Sequence, residues 1–228
     1  MEALFDFIES QCKKYKIDES HGLKHAKGTL VKASEILKTL RGVTSDERRM
    51  ALYAAALHDM CDSKYTDVKE ASEDIRLFLT GEEDWSMNDA NSLIAIVTTM
   101  SYSKLKMAAA GGPPTYPDHG IWQRAYHVAR NADLLEGYIV ARCVLYNKQI
   151  HPDYTEEQHW KRAEDLFEKR VFMYKQDGWI ILPGAIMLIY DLEVEARRCL
   201  KDQSLAWAEP SLDQLKSIFR DMPKLKKN

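Results

Sequence analysis

The sequence predicts an all-α fold, a helical bundle in a single domain, and three observations carry the prediction. Apolar residues recur at three- and four-residue spacing, as in Leu4, Phe5, Ile8 and Cys12 and again in Leu30, Ala33, Ile36, Leu37 and Leu40. Helix-start signals recur too: Thr44-Ser45-Asp46-Glu47, Thr155-Glu156-Glu157-Gln158 and Ser211-Leu212-Asp213-Gln214 each set a hydroxyl three residues ahead of an acid or amide, the pattern of a capping box. No stretch alternates apolar and polar residues as a half-buried strand would.

Taken in order, the first two periodic runs give helices over 2–16 and 21–41. The Thr44 signal opens a third over 45–59, which carries Leu52, Ala55, Ala56 and Leu57 and ends in "LHDMCD". Helices over 68–79 and 87–101 follow. The segment "MAAAGGPPTYPDHG" (107–120) holds three glycines and three prolines, so it reads as a loop, and loops of this length are often lids or binding loops. Beyond it come helices over 119–134, 136–148, 155–175, 184–203 and 211–220, the aromatic and methionine positions of "RVFMYKQDGWIILPGAIMLIY" reading as core. There is no internal repeat.

With 228 residues, 45% of them hydrophobic, the chain can build a substantial core and is too apolar to be disordered. Its 32 basic and 35 acidic residues nearly balance, at a net charge of −3, so duplex nucleic acid is not an expected partner. The basic end "MPKLKKN" (222–228) reads as a solvated tail. Acids at Glu2 and Asp6 interrupt the N-terminal segment, which is therefore not a signal peptide, and the longest apolar run, "WIILPGAIMLIY", is broken by Pro183 and Gly184 and too short for a membrane span. A soluble, cytoplasmic protein is expected. Cys12, Cys61, Cys143 and Cys199 form no CxxC pair, which argues against a zinc cage and a disulfide framework and for free, mainly buried thiols. No pattern specifies an oligomeric state.

The chemistry-bearing residues concentrate in three places. His58 and Asp59 are adjacent at the end of an apolar helix, where side chains that would point about 100° apart in mid-helix can converge on one ion. Upstream, His21 and His25 lie four residues apart, on one face just inside a predicted N-terminus. Downstream, Asp133 sits among apolar residues in "ARNADLLEGY", where an unpaired carboxylate would be costly.

This constellation resembles the HD superfamily of metal-dependent phosphohydrolases, whose pattern is a histidine, a His-Asp doublet at a helix end and a distant aspartate. The matching residues are His25, His58 with Asp59, and Asp133. "SHGLKHAKGTL" is similar to the family's first helix, in which the second histidine is the ligand, so the role passes to His25 and not to His21. "LHDMCDSKY", "TTMSYSK" and "NADLLEGY" resemble the small single-domain branch that includes nucleotide pyrophosphohydrolases, where an acid follows three positions after the aspartate. The likeness covers about 1–190, with further helices over 191–228. It departs at Gly22, where many relatives have an acid, at Gly28-Thr29, where an Arg-Val pair is usual, and in the longer Gly/Pro loop; neither helix departure is expected to touch the ligands.

The resemblance implies an HD-type bundle with one divalent transition metal, Mn²⁺ foremost, with Fe²⁺, Co²⁺, Ni²⁺ or Zn²⁺ also suited to two imidazoles and two carboxylates. Only His119 and His127 lie between the doublet and Asp133, late in that interval, which favours one metal over two; His151 and His159 read as surface residues. Asp62, three residues after Asp59, is the candidate to aim or deprotonate the attacking water, the alternative being that it caps the turn or pairs with Lys64. Lys64 and Lys104 are candidates to neutralise phosphate charge, and His21 to hydrogen-bond around the ligands. Ser101, Tyr102 and Ser103 either offer hydroxyls to phosphate or ribose or simply end a helix. The expected activity is hydrolysis of a phosphoester or phosphoanhydride in a small phosphorylated metabolite, a nucleotide first of all. The resemblance points to pyrophosphate release from a nucleoside triphosphate. The alternatives are a non-catalytic metal-binding or nucleotide-sensing module and a di-iron oxygenase.

Overall fold

The third helix of the chain decides the architecture. Every residue from Met50 to Leu57 is buried, and a helix that is apolar all round must be enclosed by others. The structure, a computed structural model, describes residues 1–220, so the basic end 222–228 lies outside the described residues. Among the described residues there is no strand, in keeping with the predicted all-α class. The α-helices are α1 (Glu2–Tyr15), α2 (Leu23–Thr39), α3 (Ser45–Leu57), α4 (Val68–Gly81), α5 (Met87–Thr99), α6 (Tyr102–Ala109), α7 (Gln123–Glu136), α8 (Val140–Ile150), α9 (Glu156–Leu166), α10 (Pro183–Asp202) and α11 (Leu212–Arg220). Helices α2, α3 and α7 pack on one another as a central triad, with α5 also against α3. The α4–α5 pair covers one side, α8 packs with α9, and α10 lies across α2 and α7. Four alanines in α3, Ala51 and Ala54 to Ala56, are buried and let its neighbours approach closely.

Helix starts follow the capping chemistry. Thr44 Oγ1 accepts from the Glu47 N–H at 3.1 Å. Thr155 and Gln158 form a reciprocal box, with bonds of 2.7 and 3.3 Å, and so do Ser211 and Gln214, at 2.9 and 3.2 Å. Asp67 caps α4 through the Lys69 and Glu70 N–H groups, and Ser86 caps α5 through that of Asp89.

Several sequence expectations need correction. The helix expected over 21–41 starts at Leu23, because Gly22 is extended (φ −85°, ψ −159°) and Glu19–His21 form a separate 3₁₀ turn. The helix expected over 87–101 stops at Thr99, and the chain restarts as α6, a helix absent from the sequence reading, anchored by buried Tyr102 and Leu105. Ser101, Tyr102 and Ser103 therefore begin a helix instead of ending one. The continuous helix expected over 155–175 gives way after Leu166 to a π-helical turn, Phe167–Val171, both of whose end residues are buried. His159 is buried, not on the surface, and Met187 and Tyr190, read as core, are 74% and 75% exposed. The four cysteines are free; Cys61 and Cys199 are buried, Cys12 and Cys143 half-buried. Among the described residues no helix is long and apolar enough to cross a membrane.

One close approach is testable. A Cβ on Gly184, in the first turn of α10, would run into the Thr39 side chain of α2, meeting its Cβ at 2.9 Å. Alanine would gain up to about 1 kcal/mol of helix propensity. Overpacking costs about 1–3 kcal/mol and outweighs it. Gly184→Ala is expected to lower the denaturant midpoint with an unchanged slope; a stabilised variant would show that α10 can lift off α2 at no cost.

Candidate metal centre

Each arm of the central triad delivers one part of the site. His25 stands in the first turn of α2, His58 and Asp59 in the 3₁₀ turn His58–Cys61 that continues α3, and Asp133 near the end of α7. The α-helix gives way at His58 to a 3₁₀ turn, and from that turn both neighbours reach the cluster, His58 Nε2 lying 3.2 Å from Asp59 Oδ2.

The atoms meet at close range. His25 Nε2 and His58 Nε2 are 3.1 Å apart. Asp59 Oδ2 lies 3.3 Å from the first and 3.2 Å from the second, and Asp133 Oδ1 lies 3.4 Å from each. The ligand atoms of His25, His58 and Asp133 all fall within 4.8 Å of one another, the spacing of donors around a single ion. His25 is fully buried, His58 and Asp59 nearly so.

Hydrogen bonds behind the rings fix what those nitrogens are. His58 Nδ1 lies 2.9 Å from the Ala55 carbonyl oxygen, which can only accept, so Nδ1 carries the proton and Nε2 of a neutral ring is a lone pair. Thr29 Oγ1 donates to the His25 carbonyl at 3.0 Å and stands 3.4 Å from His25 Nδ1, whose N–H it accepts. Both Nε2 atoms of the neutral rings are thus acceptors facing two carboxylates. Asp59 Oδ2 is buried with no hydrogen-bond partner of its own. Four acceptors around one point, three of them buried and that of Asp133 half-buried, repel one another unless a positive charge sits among them, and the donor set fits a divalent ion.

The same carboxylates favour a proton on His58. Burial alone would lower the His58 pKa, but the Asp59 and Asp133 carboxylates outweigh it and push the imidazole well above its ordinary 6.5. Burial alone would raise Asp59 and Asp133, and the facing histidines hold both well below 3.8.

The cluster opens onto a cavity of about 140 Å³. His21, Asp62, Lys64, Lys104, Tyr102 and Ser103, all named from sequence, line it. Asp62 is half-buried and closes the 3₁₀ turn in place of continuing an α-helix, so the α-helical spacing expected of it does not hold, although 3₁₀ geometry also stacks i on i+3. Its Oδ1 accepts from the Lys64 N–H at 2.9 Å, so the capping role is present, and Asp62 Oδ2 is a second acceptor on the same carboxylate. His21 shares no helical face with His25. Its Nδ1 is held by Asp18 at 3.1 Å, Ser20 at 2.8 Å and Tyr65 at 3.0 Å. The same contacts hold the Asp18 carboxyl below its usual range against the opposing effect of burial.

Two residues at this cavity escaped the sequence reading. Arg142 of α8 and Arg170 of the π-helical turn both line it. Neither belongs to a short motif, and the π turn that aims Arg170 leaves no periodic trace. The first turn of α6, Ser101 to Lys104, lines the cavity with no side-chain cap on its N–H groups, a setting that suits an anion. No residue of the 107–120 segment lines it, so the loop is no lid over this cavity; its Tyr116 hydroxyl donates to the Gly178 carbonyl at 3.1 Å. His119 contacts Thr99 at 3.1 Å and His127 contacts Gln123 at 3.1 Å, and neither lines the cavity. The Gly28-Thr29 departure touches a candidate ligand, through Thr29 on His25, while a Cβ at Gly28 would run into the Glu136 carboxylate of α7.

Comparison of the chain with protein-family models, with curated proteins and with solved structures gave no match.

Proposed function

We propose that the chain is a divalent-metal-dependent phosphohydrolase of the HD type, acting on a small phosphorylated metabolite and foremost on a nucleotide. The observation that carries the reading is the set of four acceptors, buried His25, His58 and Asp59 with half-buried Asp133, converging beside a cavity walled by Lys64, Lys104, Arg142 and Arg170. A cation-seeking cluster next to a cation-rich wall suits a substrate that is itself an anion and can bridge the two.

In this reading the four acceptors hold one Mn²⁺ or a similar ion, which supplies Lewis acidity toward a phosphoryl oxygen and acidifies water toward neutrality. Asp62 accepts the proton of the attacking water through its second oxygen while the first keeps the turn closed. The water oxygen forms a bond to phosphorus, the bond from phosphorus to the leaving oxygen breaks, and the proton passes from Asp62 to solvent. Lys64, Arg142 and the open N–H groups of α6 hold the phosphoryl oxygens in line. The positions of His119 and His127, away from the cavity, favour hydrolysis with one ion over a two-metal oxygenase.

The test is metal content by plasma mass spectrometry, coupled to phosphate and pyrophosphate release from a panel of phosphorylated metabolites with Mn²⁺. About one metal per chain with release of either product is expected. Metal without turnover on any compound would favour the non-catalytic sensing module, and a chain that holds no metal would sink both readings.

A further inference from the structure

The cavity at the metal residues continues outward. It shares Lys64, Ser103, Arg142 and Arg170 with a second chamber of about 380 Å³, which Tyr146 and Arg162 bound on the far side. Four cationic side chains, Lys64, Arg142, Arg162 and Arg170, line that chamber, and no aspartate or glutamate does. In a chain of net charge −3 this segregation of sign runs against the average of the molecule.

The arginines are held in a common way. Arg142 Nε donates to the Ser20 carbonyl at 2.8 Å, Arg162 Nε to Asn147 Oδ1 at 3.2 Å and Arg170 Nε to the Tyr174 hydroxyl at 2.9 Å. Each acceptor is neutral, and among the described residues none of the three guanidiniums pairs with a carboxylate, whereas Arg124 and Arg197 do. Positioned through Nε, each leaves its two terminal amino groups without a partner among the described residues. That is the arrangement for gripping a phosphate with two donors at once. Arg170 is further fixed against the Tyr102 ring, 4.1 Å from its centroid, and the Lys64 ammonium stands 4.8 Å from that of Tyr146. Farther out the groove passes Lys161 and Lys169, but Asp165 lies 3.8 and 3.9 Å from their amines and offsets their charge. The outer groove thus mixes both signs, with Lys106 over the Tyr102 ring, whereas the chamber has no carboxylate lining it among the described residues.

We propose that this chamber binds the oligophosphate part of the substrate, so that the ligand class is a di- or triphosphate with one phosphorus at the metal residues and the next on Arg142, Arg162 and Arg170. Size agrees: the inner cavity of about 140 Å³ is small beside the roughly 300–1,000 Å³ of small-molecule sites, and the chamber brings the whole into that range. The inner end of this placement rests on the phosphohydrolase reading; the chamber's preference for anions does not.

Isothermal titration calorimetry on metal-stripped protein, dialysed free of chelator, separates the two. Tripolyphosphate is expected to bind at least tenfold tighter than orthophosphate. Arg162→Gln, at an exposed position that folding tolerates, and Arg170→Gln are each expected to weaken tripolyphosphate about tenfold and orthophosphate less than twofold. Adenosine triphosphate binding as tightly as tripolyphosphate would assign recognition to the phosphates alone, and tighter binding would add the nucleoside, both in support. Equal affinity for the two inorganic anions, or unchanged tripolyphosphate affinity in both folded variants, would overturn the proposal. A protein that binds tripolyphosphate as expected and hydrolyses nothing with Mn²⁺ keeps the chamber and loses the hydrolase reading; hydrolysis without chamber binding does the reverse.

Discussion

Asp59→Ala is expected to strip the metal from the purified protein and abolish turnover, whereas Asp62→Asn is expected to retain the metal and lose turnover by about 10²–10⁴-fold, the usual weight of a positioned base. Asp59 Oδ2 sits 3.3 and 3.2 Å from the two imidazole nitrogens and has no other partner, so its removal deletes a charge that only the cation balances. Asp62 lines the same cavity without touching either nitrogen within ion-pair range, and its structural duty is the bond from the Lys64 N–H. Asparagine keeps that bond and removes the basicity, which alanine would not separate. Metal content and kcat, measured on the same preparations, decide the matter. Full activity in Asp62→Asn would end the role assigned to that residue, and metal loss in it would make Asp62 a ligand. His25→Ala is expected to lower metal occupancy far more than His21→Ala, because His25 Nε2 faces the cluster and His21 Nδ1 is taken up by Asp18, Ser20 and Tyr65.

The residues that gather at the site were legible in the sequence partly through pattern and, for the choice of His25 over His21, through the resemblance to the HD superfamily. His58 and Asp59 stand where an apolar helix ends, and Asp133 sits where burial of a lone carboxylate would be costly; the fold brings His25, His58, Asp59 and Asp133 to one point. Periodicity and capping residues likewise located most helices, because Thr44, Thr155 and Ser211 act through bonds to residues three positions on. What was hidden depends on tertiary contact. Gly22, in extended backbone, separates His21 from the helix of His25, and no local spacing marks that break. Helix α6 is eight residues long and held by Tyr102 and Leu105, too few apolar positions to show a period. Arg142 and Arg170 reach the cavity from α8 and from a π turn, elements whose approach no local spacing encodes. His159 is buried with Trp160 and Ala163 on the one inward face of an otherwise exposed α9, and a lone histidine in a polar run gives no sign of that.

Metal affinity is expected to rise with pH through the neutral range, with proton release on binding. The proton is that of His58, whose pKa the Asp59 and Asp133 carboxylates raise well above 6.5 despite its burial. In the metal-free protein its contribution to stability is fully present below about 6.5 and is lost as pH rises through the raised folded value. The depressed carboxylates act at the other end: their contribution is present above about 3.8 and is lost as pH falls through their folded values. A metal ion and the His58 proton compete for the same lone pair, so raising the pH removes the competitor while the carboxylates stay charged. Calorimetry in buffers of different ionisation enthalpy counts the proton directly. Thermal denaturation reads the same linkage: at free metal one hundred times Kd the folded state gains about 2.7 kcal/mol. For a chain of this length that is roughly 5–10 °C in Tm. At fixed metal concentration the gain is expected to be larger at pH 8 than at pH 6. A pH-independent affinity with no proton released would mean that His58 is already neutral between its two carboxylates, and that the cluster tolerates four facing acceptors without any positive charge.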